Sequence, residues 1–303
     1  MLREVSLALE AGIGLGALYA LVALGYTLIL AASGVFNLVQ GTIAVAGTMV
    51  MLGLWQILGW PILGVAAITL AGGAVIGIVT YFVSVFPLTR RRDVTSLTEG
   101  ALVTTFALWL MLGSILQVTF GDETLPVNNY VSQTGFKIGG VPIEPIYIVM
   151  LGATLLIVVV FELVLRRTGV GLVLRATVED NEGARLAGIP VTKVVLVAFA
   201  VGGALAGIAG MLMAPITFAS PFPSADLSFY GFAGMAIGGF GSFSGAIVGG
   251  LLVGVLTNVP AIWVNPSFMS LLVYAAMLLI LAIRPAGLFG SPGAFGSARV
   301  REI

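Results

Sequence analysis

Residues 166–193 read RRTGVGLVLRATVEDNEGARLAGIPVTK. The stretch gathers Arg166, Arg167, Arg175, Arg185 and Lys193 with Glu179, Asp180 and Glu182, in a chain of 303 residues that is 59% hydrophobic and only 9% charged. Nearly everything on either side of it is apolar. Soluble domains carry about 25% charged residues, so this balance and a mean hydropathy of +1.14 describe a chain built for lipid. One sizeable charged loop is kept outside the lipid, on one side. Such a loop is better suited to hold a partner than to hold the fold.

Outward from this island the chain divides into spans. A helix needs about 20 apolar residues to cross a hydrocarbon core of roughly 30 Å. Residues 11–32, 34–58, 61–86, 100–120, 144–165, 190–216, 245–263 and 267–283 meet that length, and 228–240 is a shorter apolar piece. The run 11–32 is too long for a signal-peptide core and follows Glu4 and Glu10, so it reads as a retained span. The expected fold is all-α: a polytopic transmembrane bundle, one transmembrane domain over 1–303 with a cytoplasmic loop at 166–193. Basic residues of short loops mark the cytoplasmic side. Arg90, Arg91 and Arg92 place one loop there, and the island is another. The loops 121–143, with Asp122, Glu123 and a single Lys137, and 217–227, with Asp226, lie outside. Arg284, Arg299 and Arg301 suggest that the tail is inside, which a crossing by 228–240 would allow, although that piece is short enough for a half-helix and the crossings number eight to ten; if 34–58 is one span, the N-terminus is outside.

Composition also excludes chemistry. Net charge is zero, leaving no basic field for nucleic acid. With no His and no Cys, most acid–base, nucleophilic and metal constellations have no residues to use. No G-x-x-x-x-G-K-[ST] loop is present to cradle a nucleotide. Glu162 and Arg166 stand four apart at the end of the fifth span, spaced for an ion pair at the interface. A deeper carboxylate, the usual mark of proton or sodium coupling, is missing.

Small residues four apart recur: Gly12 and Gly16, Gly73 and Gly77, Gly203 and Gly207 beside Gly202, Ala206 and Gly210, and a ridge of Gly241, Gly245 and Gly249. They let helix backbones approach closely in lipid. Two polar interruptions, SGVFNLVQG at 33–41 and FGSFSG at 240–245, lie in opposite halves of the chain. Paired breaks of this kind mark broken or re-entrant helices and inverted-repeat character near a transport path; the plainer reading is two turns. Phe36, Asn37, Gln40, Ser242 and Ser244 are the candidate path residues. Equally, Asn37 and Gln40 could serve only to bond backbone freed around Gly34 and Gly41.

Within the island, Thr177 and Asp180 have the T-x-x-D form of a capping box. Glu179, Asp180 and Glu182 sit where a helix dipole is positive, and Arg185 where it is negative. Gly188 provides a left-handed stop before Pro190. A short helix over 178–187 on the cytoplasmic surface is expected.

Here the sequence resembles a known family. Glu182-Gly183-Ala184-Arg185-Leu186-Ala187-Gly188 is similar to the E-A-A-x-x-x-G coupling motif of ABC-importer permeases, with Gly183 in place of the first alanine. G-x-x-N-x-x-x-G at 34–41, R-A-T-x-x-[DN]-x-x-x-A-R-L-x-G-I at 175–189, GGALAGIAG at 202–210, GGFGSFSGAIVGG at 238–250 and RPAGLFG at 284–290 resemble permeases of branched-chain amino acid ABC importers over nearly the whole chain. The resemblance implies a non-enzymatic subunit of a bacterial or archaeal plasma (inner) membrane. Its partners would be a second homologous permease, two cytoplasmic ATPases carrying ATP and Mg²⁺, and an extracytoplasmic substrate-binding protein. It further implies that Glu182, Ala184, Arg185, Leu186, Gly188 and Ile189 contact an ATPase. Members of the family commonly have N-F-A-H-G where this chain has Asn37-Leu38-Val39-Gln40-Gly41, and Gln40 cannot gain a proton near neutral pH as histidine does. The family's cargo ranges over branched-chain and other amino acids, urea and short amides. A stand-alone channel for a small neutral solute is the competing reading.

Overall fold

The computed structural model describes residues 2–88, 94–131, 136–138, 141–220 and 225–290. Arg90, Arg91, Arg92, Arg299 and Arg301, used above for sidedness, lie outside the described residues, as do the side chains of Lys137, Glu182 and Asp226. The helices in chain order are α1 (Leu2–Ser33), α2 (Gln40–Val50), α3 (Ile62–Thr80), α4 (Val94–Phe120), α5 (Pro145–Arg167), α6 (Gly169–Glu179), α7 (Asn181–Leu186), α8 (Val191–Thr217), α9 (Ala225–Gly238), α10 (Phe243–Asn258) and α11 (Met269–Ile283). α2 and α3 each run on into a π-helical stretch, Met51–Ile57 and Tyr81–Val85. Among the described residues eight helices are long and apolar enough to cross a membrane, and α9 is shorter. The helical bundle expected from the sequence is the fold. Its first helix begins at Leu2 rather than at residue 11. The loop before α5 adds an antiparallel strand pair that hydropathy does not disclose, β1 (Phe136–Ile138) on β2 (Val141–Ile143).

α1 is the central post. Its most apolar stretch is 89% buried, against 11% for α11. Around it the close approaches are made by glycine. A methyl at Gly16 would stand 2.9 Å from Leu251 Cα on α10, and one at Gly73 would stand 3.0 Å from the Gly203 carbonyl carbon on α8. At Gly210 it would lie 2.8 Å from Ala44 Cα on α2. In lipid no hydrophobic force draws helices together, so dispersion across such backbone contacts holds the bundle. Gly241 departs from the expected ridge. It lies in the turn between α9 and α10 with φ +79°, and the ridge proper is Gly245 and Gly249 against Gly238 and Gly234. Ser242 is the reason: its Oγ accepts from Gly245 N at 3.1 Å and starts α10 after Gly241.

Neighbouring helices fix the ends. Gly12 packs on Gly254, and Gly16 on Leu251, so α1 and α10 are antiparallel. Glu10 Oε1 accepts from Glu144 N at 2.8 Å, tying the start of α1 to the start of α5. At the opposite end Leu28 and Ala32 share a buried cluster with Leu165, Leu174 and Val194, and Phe243 packs against it. Arg166, Arg167 and Lys193 are therefore on one side of the bundle, with the α9–α10 turn. The tail joins them: Leu288 N and Phe289 N donate to the carbonyls of Ile237 and Gly238 at 2.9 and 2.8 Å, satisfying the open end of α9. α9 thus carries the chain to the charged face, as the sidedness of the tail requires.

Candidate functional site

The island folds as two helices, not the single one expected over 178–187. Thr168 caps α6, its Oγ1 accepting from Gly171 N at 3.2 Å. Asp180 caps α7, its Oδ1 accepting from Gly183 N at 3.0 Å. The expected cap Thr177 is instead buried inside α6 and donates to Val173 O at 2.9 Å. Burial decides this. α6 places Leu174 and Thr177 on its covered face, so the helix continues to Glu179, and Asp180 at φ −149° breaks it. The stop is as the sequence indicates. Gly188 has φ +81°, Gly188 N donates to Arg185 O and Ile189 N to Ala184 O, both at 3.0 Å. This pair of bonds is the Schellman closure, which uses two of the carbonyls a helix end leaves open.

α7 therefore has a buried and an open face. Ala184 is 5% exposed and belongs to one cluster with Ile29, Val35, Val191 and Val195, with Ile189 packed against it. Leu186 is 91% exposed, and Arg185 and Gly188 are exposed too. Arg166 pairs with Glu162, as the spacing predicts, and both are solvent-facing.

The second feature lies at membrane depth. After Ser33 the chain leaves helical geometry at Gly34, φ +69°, and returns into the bundle before α2 begins at Gln40. Gln40 Nε2 donates to Gly202 O at 2.6 Å. At 1.5 Å per residue Gly202 is roughly 16 Å from the start of α8 and roughly 22 Å from its end, so α2 starts near mid-span. Gln40 and Asn37 are fully covered, 0% and 1% exposed. Asn37 Oδ1 accepts from Val39 N at 3.1 Å, a local turn. Gln40 Oε1 and Asn37 Nδ2 have no partner among the described residues.

Of the five candidate path residues, Phe36 lines a cavity. A cavity of about 180 Å³ is walled by Tyr26 of α1 with Phe36 and Leu38 of the return segment. Phe106 and Trp109 of α4 and Ser228, Phe229 and Phe232 of α9 complete it. Phe36 stacks on Tyr26 at 5.2 Å and 3°, and meets Phe232 edge-on at 4.9 Å. The hydroxyls of Tyr26 and Ser228 are buried facing one another, and the buried indole Nε1 of Trp109 has no hydrogen-bond partner among the described residues. Sequence reading passed over Tyr26, Trp109 and Ser228, because an aromatic or a serine within an apolar run looks like any other core position. Ser242 is occupied as the cap of α10 and Ser244 is exposed; neither lines the cavity. The two polar breaks are thus unlike: one is a return into the bundle, the other a helix-hairpin turn. Among the described residues no cluster of acidic side chains could hold a metal ion.

Residues 8–282 match the family described as "Branched-chain amino acid transport system / permease component". "Probable branched-chain amino acid transport permease protein LivH" of Methanocaldococcus jannaschii is 30% identical over 300 residues, 93% of this chain and 91% of that protein. "High-affinity branched-chain amino acid transport system permease protein LivH" of Salmonella typhimurium is 26% identical over 298 residues, 93% of this chain and 94% of that one. Sugar-import permeases are also related. In fold the chain is similar to "PsaBC from Streptococcus pneumoniae in complex with Fab", with TM-score 0.50, 14% identity and 92% of each chain covered. With the family match running almost from end to end of a multi-pass helical bundle, the chain belongs to the permease family of branched-chain amino acid ABC importers.

Proposed function

We propose that the chain is one membrane-spanning half of an ATP-driven importer in a bacterial or archaeal plasma membrane. Its cargo is a branched-chain or similar amino acid, delivered from outside by a substrate-binding protein. The other half is a second, homologous permease, and two ATPases that bind ATP and Mg²⁺ dock on the inner face. The observation that carries this reading is α7: a helix closed at both ends by its own caps, anchored through Ala184, with Leu186 left 91% exposed. A soluble partner is what such an apolar side chain, held rigid outside the bundle, is suited to meet. Arg185, Leu186 and Gly188, with Glu182, form that contact, while Ala184 and Ile189, named with them from the sequence, face the bundle and hold the helix in place. The path passes Phe36, with Asn37 and Gln40 fixing the return segment that carries it, and Ser242 and Ser244 at the inner turn.

The reading is tested by ATP-driven leucine uptake in proteoliposomes holding the complete transporter. Gly188→Pro and Glu182→Lys are expected to leave the bundle assembled but to lower ATPase co-purification or uptake at least tenfold. Full uptake by both variants would remove the coupling assignment. Solute flux through the chain reconstituted without ATPases would instead support a stand-alone channel.

A further inference from the structure

We propose that the groove between α5, α6 and α8, on the charged side of the bundle, binds one anionic phospholipid, with an acyl chain along its walls and the headgroup phosphate at Lys193. The inference needs only that the chain spans a membrane. It goes beyond the importer reading and does not rest on it.

Helix spacing makes the groove. Lys193, Val194, Val197, Ala198 and Val201 line one wall. They recur at three and four residues and so form a single stripe of α8. From Lys193 to Val201 the stripe runs roughly 12 Å into the span, at 1.5 Å per residue. Phe161 and Val164 of α5 line the groove with it. α6 completes it with Val170 and Leu174, because α6 folds straight back on α5: a methyl at Gly171 would collide with the Leu165 carbonyl. The volume is about 360 Å³. An apolar cavity of roughly 150 Å³ accepts benzene, so this one holds about a dozen carbons of an acyl chain.

The lining decides the class of occupant. Lys193 apart, every residue that lines the groove is apolar or glycine. A zwitterion or a sugar would lose its water there and find no hydrogen-bond partner in exchange. The open edge is apolar too, since Val164, Val170 and Val197 are exposed. Because the stripe lies within a span, the open edge meets hydrocarbon, out of reach of a soluble ATPase.

The rim decides the headgroup. Lys193 stands where α8 enters the span, and a lysine there lays its methylenes along the wall and keeps its ammonium at the interface. Arg175 Nε donates to the carbonyl of Gly171, a lining residue, at 3.4 Å. Arg167 closes α5 on the same side. All three are exposed, and among the described residues none of them forms an ion pair, whereas Arg166 is neutralised by Glu162. Glu179 is at the far end of α6, and Asp180 is taken as the cap of α7. Unpaired cations beside an acyl-sized groove complement a phosphate that carries acyl chains.

The test is native mass spectrometry of the full chain in detergent, titrated with dioleoyl phosphatidylglycerol or dioleoyl phosphatidylcholine. One phosphatidylglycerol is expected to bind about tenfold tighter than any phosphatidylcholine, since each basic residue at an anionic surface contributes about fivefold. Lys193→Gln should cut that preference about fivefold, and Lys193→Arg should keep it. Val197→Trp, which fills the groove from its open edge, should weaken dioleoyl phosphatidylglycerol far more than the dihexanoyl form, a difference that misfolding cannot produce. Glycerol phosphate, a headgroup without chains, should not compete. Equal affinity for the two headgroups, or an unchanged preference in Lys193→Gln, would overturn the site. So would displacement by glycerol phosphate. If Val197→Trp separates two copies of the chain and leaves the tight lipid bound, the groove is a seat for a second subunit and the proposal falls.

Discussion

Replacing Gln40 by leucine separates a structural amide from an indispensable one. Gln40 is wholly buried and its amide donates to Gly202 O at 2.6 Å, while its Oε1 has no partner among the described residues. Gly202 lies inside α8, so its carbonyl keeps its place in the helix ladder when the amide is removed. An interhelical hydrogen bond in a membrane contributes about 0.6 kcal/mol, at most about 1.7. Relief of a buried, unpartnered carbonyl returns about 1–3 kcal/mol. Gln40→Leu should therefore fall between about 0.7 kcal/mol less stable and about 2 kcal/mol more stable. Gly25 limits the gain, because a methyl there would lie 3.3 Å from Gln40 Cδ and a branched side chain has little slack. Gln40→Ala loses the same bond and leaves a void, at about 2–5 kcal/mol on the scale of large-to-alanine core changes. Thermal unfolding of the transporter in nanodiscs, followed by leucine uptake, ranks the variants. Stability near wild type for Gln40→Leu with a clear loss for Gln40→Ala is expected. Equal and large losses for both would show that the amide itself holds the bundle, and the sum above would be refuted.

Two further outcomes follow from caps. Asp180→Ala removes the bond from Gly183 N, which costs about 0.5–2 kcal/mol. Because α7 lies outside the bundle core, amide exchange over 181–186 should accelerate about tenfold, the equivalent of about 1.4 kcal/mol, while the bundle melts as before; unchanged exchange would dismiss the cap. Gly287→Val forces a β-branched residue to φ +80° and sets its Cβ 2.6 Å from Ala236 O. The tail should leave α9, exposing Leu288 N and Phe289 N to fast exchange, and slow exchange at those two amides would refute the docking.

What could be read in the sequence was whatever lipid imposes. Span lengths, glycine ridges and the Glu162–Arg166 pair follow from one-dimensional spacing. The stop at Gly188 does too, since only backbone geometry is at stake there. The sequence reading starts the helix three residues early because Thr177 and Asp180 are both acceptable caps locally. The choice between them is made by burial of Thr177 and by burial of Leu174 against α1 and α8, far away in sequence. The cavity was illegible for a similar reason. Tyr26, Trp109 and Ser228 come from three helices, and their chemistry exists only where the helices meet. The RPAGLFG motif marked the family without a purpose; its role as the cap of α9 needed Ile237 and Gly238 beside it.

The return segment explains how two such distant features can act together. Val35 is fully buried in the cluster that holds Ala184 of α7. Phe36, the next residue, stacks on Tyr26 in the cavity wall. Adjacent Cα atoms are 3.8 Å apart, so the inner-face anchor and the cavity wall are joined by a single peptide unit. A continuous helix would resist any shift between those positions with its own hydrogen bonds. Between Ser33 and Gln40 there is no helical ladder, and position is set by side-chain packing at Val35 and Phe36, by the local bonds of Ser33 and Asn37, and by Thr105 Oγ1 of α4 donating to Phe36 O at 3.4 Å. A movement of α7 that repacks Val35 must then be absorbed at Phe36. The helices on either side are held by close glycine contacts: Gly16 of α1 on Leu251, and Ala44 of α2 on Gly210. A bundle packed that tightly has two ways to respond at its centre, to stay or to switch. The break in α1–α2 is where switching costs least.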